Sequence, residues 1–302
     1  MNDFKVFASC HNHSTFSDGE YTPELLARMA KNMGHGGIIL TDHDTVKGSY
    51  FIAKEARKQG ILTLLGCEFS TYHTMKDGKE RGIHLLGFDF NPDHSAIKKI
   101  LETGSGIQTS RSEMLFKWGQ ERGTLRGGIT WQDVLDDHPY HDYFCNNEVF
   151  DSFLKRGIYR YDEYDEIFLK PNFSYKLGLE DKIYEITGKS YHDIRTEDVI
   201  VAIKEAGGVP VVAHPQGYIK YTDELLDMGV MGFETRHSML SPEEHIHFEN
   251  VCRKRKLYNM GGADHENVLG GLLAFGDAYS SPYEMSGIDE EAFMKIYRRT
   301  LG

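Results

Sequence analysis

The feature that most constrains this chain is a recurring order of apolar strand, polar cluster and helix. Phe4 to Ala8 is read as a strand ending at Cys10-His11-Asn12-His13, Gly37 to Thr41 as one ending at Asp42-His43-Asp44, and Ile61 to Leu65 as one ending at Gly66-Cys67-Glu68. Ile83 to Phe88 is a fourth strand and carries His84 within it. The order returns near the C-terminus, where Val209 to Ala213 ends at His214-Pro215, Gly232 to Thr235 at Arg236-His237, and Leu257 to Met260 at Gly261-Gly262-Ala263-Asp264-His265. Helix signals fall between them: Thr22-Pro23 as N-cap and first turn, Gly34 and Gly60 as stops, Thr196 as a cap, and Ser241-Pro242-Glu243-Glu244 as a capping box. Such alternation predicts a mainly parallel sheet. The number of strand ends carrying polar groups favours closure into a β/α barrel with its site at one face.

From about Asn91 to Tyr191 the rhythm breaks. This stretch holds a helix around Arg111 to Arg122 and a region rich in Tyr and Asp, and it is read as an inserted, mostly helical cap over the mouth of a barrel built from residues 1–90 and 192–302. The longest apolar runs are only strand-length, which excludes a membrane span, and Met1 to Cys10 lacks the pattern of a secretory signal. Four scattered cysteines without a C-x-x-C pair fit reduced thiols in a cytoplasm. A net charge of −12 argues against an extended nucleic-acid surface, while leaving room for a local phosphate pocket.

The chemistry lies in the clusters. His11 and His13 stand on alternate residues of an extended segment, so their imidazoles point the same way and can reach one metal. Asp18 follows in Ser17-Asp18-Gly19, a turn able to swing a carboxylate back. His43 adds a further imidazole, with Asp42 or Asp44 expected to orient it. Glu68 follows an apolar strand, where a carboxylate has no packing role; it reads as a bridging ligand or general base, against a buried salt bridge. His84 and His214 are each either a satisfied core histidine or a ligand. Asp264-His265 follows two glycines that permit close backbone approach. The joint alignment of these groups points to metal binding.

His11-x-His13 with Asp18-Gly19 behind it, Thr41-Asp42-His43-Asp44, Gly66-x-Glu68, His84-Leu85-Leu86-Gly87, Ala206-Gly207-Gly208 through Ala213-His214-Pro215, and Gly261-Gly262-Ala263-Asp264 occur in the order seen in the PHP (polymerase and histidinol phosphatase) phosphoesterases. The chain resembles that family across residues 11–265. The resemblance implies a distorted seven-stranded β/α barrel holding two or three divalent metal ions (Mn, Fe or Zn). It implies His11, His13, Glu68 and Asp264 as ligands of a first ion. Glu68, His84 and His214 resemble the set of a second, with Glu68 bridging. Asp18 and His43 resemble ligands of a third. Many relatives end in Asp-x-His, whereas here Asp264 is followed by His265 and Glu266, so His265 is the expected last ligand and Glu266 the alternative. The Arg-Pro-His stretch of many small nucleotide phosphoesterases in the family is absent; Phe144-Cys145-Asn146-Asn147-Glu148 occupies roughly that place.

The implied activity is hydrolysis of a small phosphorylated substrate, a nucleotide among the candidates, by a hydroxide formed on the metals. Glu68 and His237 are the expected catalytic groups, with His237 protonating the leaving oxygen. Arg111 and Arg236 are the expected grips on phosphate, a surface or inter-element salt bridge being the alternative for each. Tyr140, Tyr143 and Phe144 are read as packing the cap onto the barrel in preference to stacking a base. Three competing readings remain: an exonuclease on short oligonucleotides, a non-catalytic metal-stabilised module, and, more remotely, metal-dependent amide hydrolysis. The acidic charge counts against the first and the near-complete ligand set against the second.

Overall fold

Thr22 accepts a hydrogen bond from the Leu25 N–H at 3.3 Å and Pro23 fills the first helical position, so the first helix begins where its cap directs it. The computed structural model describes residues 5–19, 21–169, 179–262, 264 and 287–301, which form a mixed α/β fold. β1 (Ala8–Ser9) leads to α1 (Pro23–Asn32), then β2 (Gly37–Ile38), which pairs with β1 in parallel. α2 (Lys47–Gln59) ends at Gly60, in the left-handed region at φ 66°. β3 (Gly66–Thr74) and β4 (Glu80–Phe88) form a long hairpin in which Ser70 faces His84. The inserted stretch supplies α3 (Ser95–Glu121), α4 (Trp131–Asp137), α5 (Asn146–Lys155) and α6 (Leu179–Thr187). Then follow α7 (Thr196–Glu205), β5 (Val209–Val212), α8 (Thr222–Met228), β6 (Gly232–Arg236), α9 (Pro242–Arg255), β7 (Tyr258–Gly261) and α10 (Glu290–Tyr297).

The larger sheet runs β3-β4-β5-β6-β7, with β5, β6 and β7 mutually parallel and β4 antiparallel to both neighbours. The mainly parallel expectation holds for β1–β2, β5–β6 and β6–β7 and fails at the two pairings made by β4. Asp77-Gly78 is a hairpin turn, with Gly78 at φ 79° and the Met75 N–H bonded to the Lys79 carbonyl at 2.9 Å; so short a connection forces β4 to run back along β3. The strand expected over Ile61 to Leu65 is displaced as well. Leu62 there makes a single bridge to Gly37, and the strand proper starts at Gly66, which puts Glu68 inside it. Thr196 does not cap α7: its hydroxyl lies 2.7 Å from that of Thr71 on β3, and Arg195 takes the N-cap position. The capping box at Ser241 forms as expected.

Hydrogen bonds join the two sheets at both sides. The Glu68 N–H donates to the Thr41 carbonyl at 3.1 Å and the Asp44 N–H to the Glu68 carbonyl at 2.9 Å; on the other side the Cys10 N–H donates to the Gly261 carbonyl at 3.0 Å and the Asp264 N–H to the His11 carbonyl at 2.9 Å. One core holds Ile39, Leu86, Phe88, Val209, Val211 and Met260, together with Cys10 and Ala213, the residues that precede His11 and His214. The inserted helices share a second core with the hairpin, where Ile107, Leu115 and Phe153 pack with Phe69, Ile83 and Leu85. Each such side chain contributes roughly 1.5–3 kcal/mol on burial. The four cysteines are buried free thiols. Among the described residues no helix is long and apolar enough to cross a membrane.

α1 and α2 are clamped through Glu55, which accepts hydrogen bonds at 2.9 Å from Arg28, Lys58 and Gln59. These bonds, Arg28 foremost, hold its carboxyl down at about 2. The stability they contribute is present above the ordinary glutamate pKa of about 4.3 and is lost as pH falls toward the folded value. Denaturant titrations between about pH 5 and 2 should show a shallower loss of stability in Glu55→Gln than in the wild type. Identical slopes would contradict the clamp.

Candidate metal centre

The first cluster forms because alternate residues diverge. His11 and His13 turn inward, while Asn12 turns away and donates from Nδ2 to the carbonyls of Ser9 at 3.1 Å and Ile39 at 2.7 Å. The loop after His13 folds around Asp42, whose carboxylate accepts from the Ser14 N–H at 2.6 Å, the Ser14 hydroxyl at 2.9 Å and the Ser17 hydroxyl at 3.0 Å. Gly19 closes that loop because a Cβ there would lie 2.1 Å from the His13 carbonyl oxygen. Gly262 serves the same purpose opposite, where a Cβ would lie 2.2 Å from the His11 nitrogen. The glycine brings Asp264 to the cluster in a left-handed backbone at φ 48°.

Four buried side chains meet at one point. His11 Nε2 is 3.1 Å from Glu68 Oε2 and 3.2 Å from Asp264 Oδ1; His13 Nε2 is 3.1 Å from each of the same oxygens. The two imidazole nitrogens are 3.2 Å apart. His11 Nδ1 lies 2.9 Å from Glu234 Oε2, and a carboxylate only accepts, so Nδ1 carries a proton; a cation that displaced the proton Glu68 and Asp264 favour on Nε2 would meet the lone pair of that nitrogen. A lone pair facing two carboxylate oxygens and a second imidazole is satisfied by a cation. Ligands about 2.0–2.2 Å from one ion lie about 3.3–3.6 Å apart in a tetrahedron and about 2.8–3.1 Å apart at the right angles of an octahedron, and the observed spacing falls between the two.

Glu68 divides its two oxygens. Oε2 serves the first cluster and is also 3.3 Å from His43 Nδ1, whereas Oε1 is 2.9 Å from His84 Nδ1 and 3.1 Å from His214 Nε2. Asp18 reaches back to a third grouping, 3.4 Å from His13 Nδ1 and 3.5 Å from His43 Nε2. The structure therefore gathers His11, His13, Asp18, His43, Glu68, His84, His214 and Asp264 in one region. His265 and Glu266 lie outside the described residues. Neither Asp42 nor Asp44 plays the orienting part expected for His43: Asp42 holds the Ser14–Ser17 loop, and Asp44 accepts from the Ser70 N–H at 3.1 Å.

Glu234 was missed by sequence reasoning. It is fully buried on β6, bonded to His11 and to the His214 N–H at 2.7 Å, so one carboxylate orients ligands of two groups. The signal that singled out Glu68, an acid within an apolar strand, is equally present in Gly232-Phe233-Glu234-Thr235. His237 is buried behind Asp264. Its Nδ1 accepts from the Met239 N–H at 3.1 Å, so Nε2 carries the proton and donates to Asp264 Oδ2 at 3.2 Å. Arg236, adjacent on the strand, faces the other way and pairs with Glu249 of α9 at 3.2 Å. Arg111 is half-buried on α3, on the helical stripe of Gly104, which abuts Asp44.

Electrostatics follow from this packing. Burial alone would raise Glu68, but His11, His43 and His84 hold it well below the usual carboxylate range. Burial alone would lower His11, yet Asp264, Glu234 and Glu68 raise it well above the ordinary value. Burial wins at His43, pushed down to about 4, and at Asp44, pushed up to about 7. Asp18, His84 and His214 are the most open, with side chains 31%, 36% and 22% exposed. Solvent therefore reaches the cluster from their side.

The sequence profile of the PHP domain matches residues 9–173. A 5'-3' exoribonuclease of Haemophilus influenzae is 32% identical over 102 residues, 34% of this chain and 35% of that protein. The 5'-3' exoribonuclease Rnm of Salmonella typhimurium is 23% identical over 275 residues, 87% of this chain and 86% of its own length. Among solved structures, a Bifidobacterium adolescentis protein assigned as a metal-dependent phosphoesterase aligns with a TM-score of 0.71 and 25% identity, covering 97% of this chain and 96% of that one.

Glu234→Ala strips His11 and the His214 N–H of their shared acceptor. It is expected to weaken the tightest-bound divalent cation by about 10–100-fold in chelator competition, with unchanged far-UV circular dichroism. Wild-type affinity in this variant would show that His11 needs no such support.

Proposed function

The chain belongs to the PHP-domain family and is a metal-dependent phosphoesterase, a hydrolase of phosphoester bonds, and on that premise we propose that it acts on a small phosphorylated substrate, a nucleotide among the candidates. The observation that carries this reading is the division of Glu68 between two groups of imidazoles, the arrangement a bridging carboxylate needs. We assign His11, His13, Glu68 and Asp264 to a first divalent ion and Glu68, His84 and His214 to a second. Asp18 and His43, with His13 beside them, go to a third. Two or three ions of Mn, Fe or Zn suit this mixed imidazole and carboxylate set. When bound, such ions neutralise charge on phosphoryl oxygens and acidify water near neutral pH.

The protein's own groups do the rest. Glu68 fixes the spacing of the two principal sites, and Glu234 fixes the tautomer of His11. His237 acts on the reaction through Asp264, because both of its nitrogens are engaged. Arg111, on the α3 stripe that abuts Asp44, and Arg236, which would first have to leave Glu249, are the proposed phosphate clamps. We read the two sheets, joined by hydrogen bonds at both sides, as a distorted seven-stranded barrel, and residues 91–191 as its inserted cap. Buried free thiols support a reducing compartment such as the cytoplasm. The alternative is exonucleolytic attack on short oligonucleotides, favoured by the two exoribonuclease relatives and opposed by the net charge of −12.

A phosphate-release screen with Mn loading, over sugar phosphates, mononucleotides, bisphosphonucleosides and histidinol phosphate, tests the reading; 5'-phosphorylated oligomers test the alternative. Glu68→Gln should abolish turnover on whichever substrate is found, and near-normal turnover in this variant would sink the bridged mechanism. Arg111→Ala should raise KM about tenfold or more, the loss of a charge-assisted contact. An unchanged KM would remove Arg111 from the site.

A further inference from the structure

Of the three groupings, the one built on Asp18 and His43 has the least support from strands. His11, His84 and His214 sit in or beside β1, β4 and β5, whereas Asp18 is carried by a turn and His43 by a loop joined to β3 through one bridge at Glu68. Both loops are met from outside by a single run of the insertion, residues 141–147. Asp142 Oδ1 accepts from the Thr45 hydroxyl at 2.7 Å, two residues beyond His43. Tyr143, buried, lays its ring over that of His43, with centroids 6.2 Å apart and planes at 21°. His141 stacks on Phe16 at 4.6 Å, and the Cys145 thiol donates to the Ser17 carbonyl at 3.3 Å. Asn147 makes the most direct link: Nδ2 donates to the carbonyl of Asp18 itself at 2.7 Å, while Oδ1 accepts from the Tyr164 hydroxyl at 2.8 Å.

The Asp18 carboxylate, 31% exposed in a turn, has one local partner, the Ser17 hydroxyl at 3.3 Å, which it shares with Asp42 at 3.0 Å, so its direction also depends on how its main chain is held. Asp42 fixes the start of the turn through Ser14 and Ser17, and Asn147 fixes its end. Because Tyr164 holds the other side of the Asn147 amide, the amide cannot rotate away without losing both bonds. We propose that Asn147 is a positioning residue: through the Asp18 carbonyl it sets the Asp18 carboxylate against His43, so that cation binding at this site depends on docking of the insertion. The inference rests on the metal reading of the Asp18–His43 grouping. It gives the insertion a second task beside covering the substrate, that of completing the metal centre.

Equilibrium Mn²⁺ titration by calorimetry, with stoichiometry by elemental analysis, tests this without recourse to activity. Three chains are compared: wild type, Asn147→Ala and Asp18→Asn. Alanine is well tolerated in the first turn of α5, so the fold should persist. We expect Asp18→Asn to remove one class of Mn²⁺ site and Asn147→Ala to weaken that same class by about 10–100-fold, with the remaining classes at wild-type affinity. Tyr164→Phe, which keeps the bond to Asp18 and loses only its anchor, should fall between. Wild-type titration of Asn147→Ala, or equal weakening of every class, would overturn the positioning role while leaving the metal site standing. Retention of every class in Asp18→Asn would overturn the metal reading and the inference with it.

Discussion

A single carboxylate, Glu68, is buried among five imidazoles, and the rest of the molecule is arranged to make that possible. An ionised carboxylate removed from water is costly by several kcal/mol unless paired and hydrogen-bonded. Here His11, His13 and His43 face one oxygen at 3.1–3.3 Å, and His84 and His214 face the other at 2.9–3.1 Å. Those histidines come from residues 11 to 214, so the arrangement exists only when both sheets and their joining hydrogen bonds are in place. A cation held by these groups would therefore link binding to folding, because folding brings the groups together.

The backbone carries part of the cost. His214 at φ 26°, Asp44 at φ 48° and Asp264 at φ 48° occupy a region that residues with a Cβ enter reluctantly, and all three lie at the cluster. The strain is held by identifiable contacts: Glu234 on the His214 N–H, Ser70 on Asp44, and the His11 carbonyl on the Asp264 N–H. Glycine at 19 and 262 gives the passing chains room beside His13 and His11.

Much of this was legible in the sequence, for physical reasons that differ by residue. The alternation of side chains along an extended strand was enough to put His11 and His13 on one side and Asn12 on the other. The Thr22-Pro23 and Ser241 caps placed two helix starts correctly. The strand-to-cluster rhythm was less faithful. His84 lies within its strand as expected, but Glu68 does too and not past a strand end; the two meet because β3 and β4 are a hairpin, signalled by an Asp77-Gly78 pair that the alternating pattern overshadowed. The acid-in-an-apolar-strand signal that marked Glu68 also fits Glu234, whereas a two-residue period would have put Arg236 on the same face as Glu234; the irregular register between those two residues turns Arg236 toward Glu249 instead. Thr196 looked like a cap because its residue type suits one, yet a tertiary contact with Thr71 claimed its hydroxyl.

The central claim is that Glu68 bridges two cations. Anomalous diffraction from crystals of the Mn-loaded protein tests it most directly. The account predicts one peak among His11, His13 and Asp264 and another between His84 and His214, about 3.5–4 Å apart, with one Glu68 oxygen toward each. A single peak, or two that leave Glu68 bound to neither or only one, would contradict it.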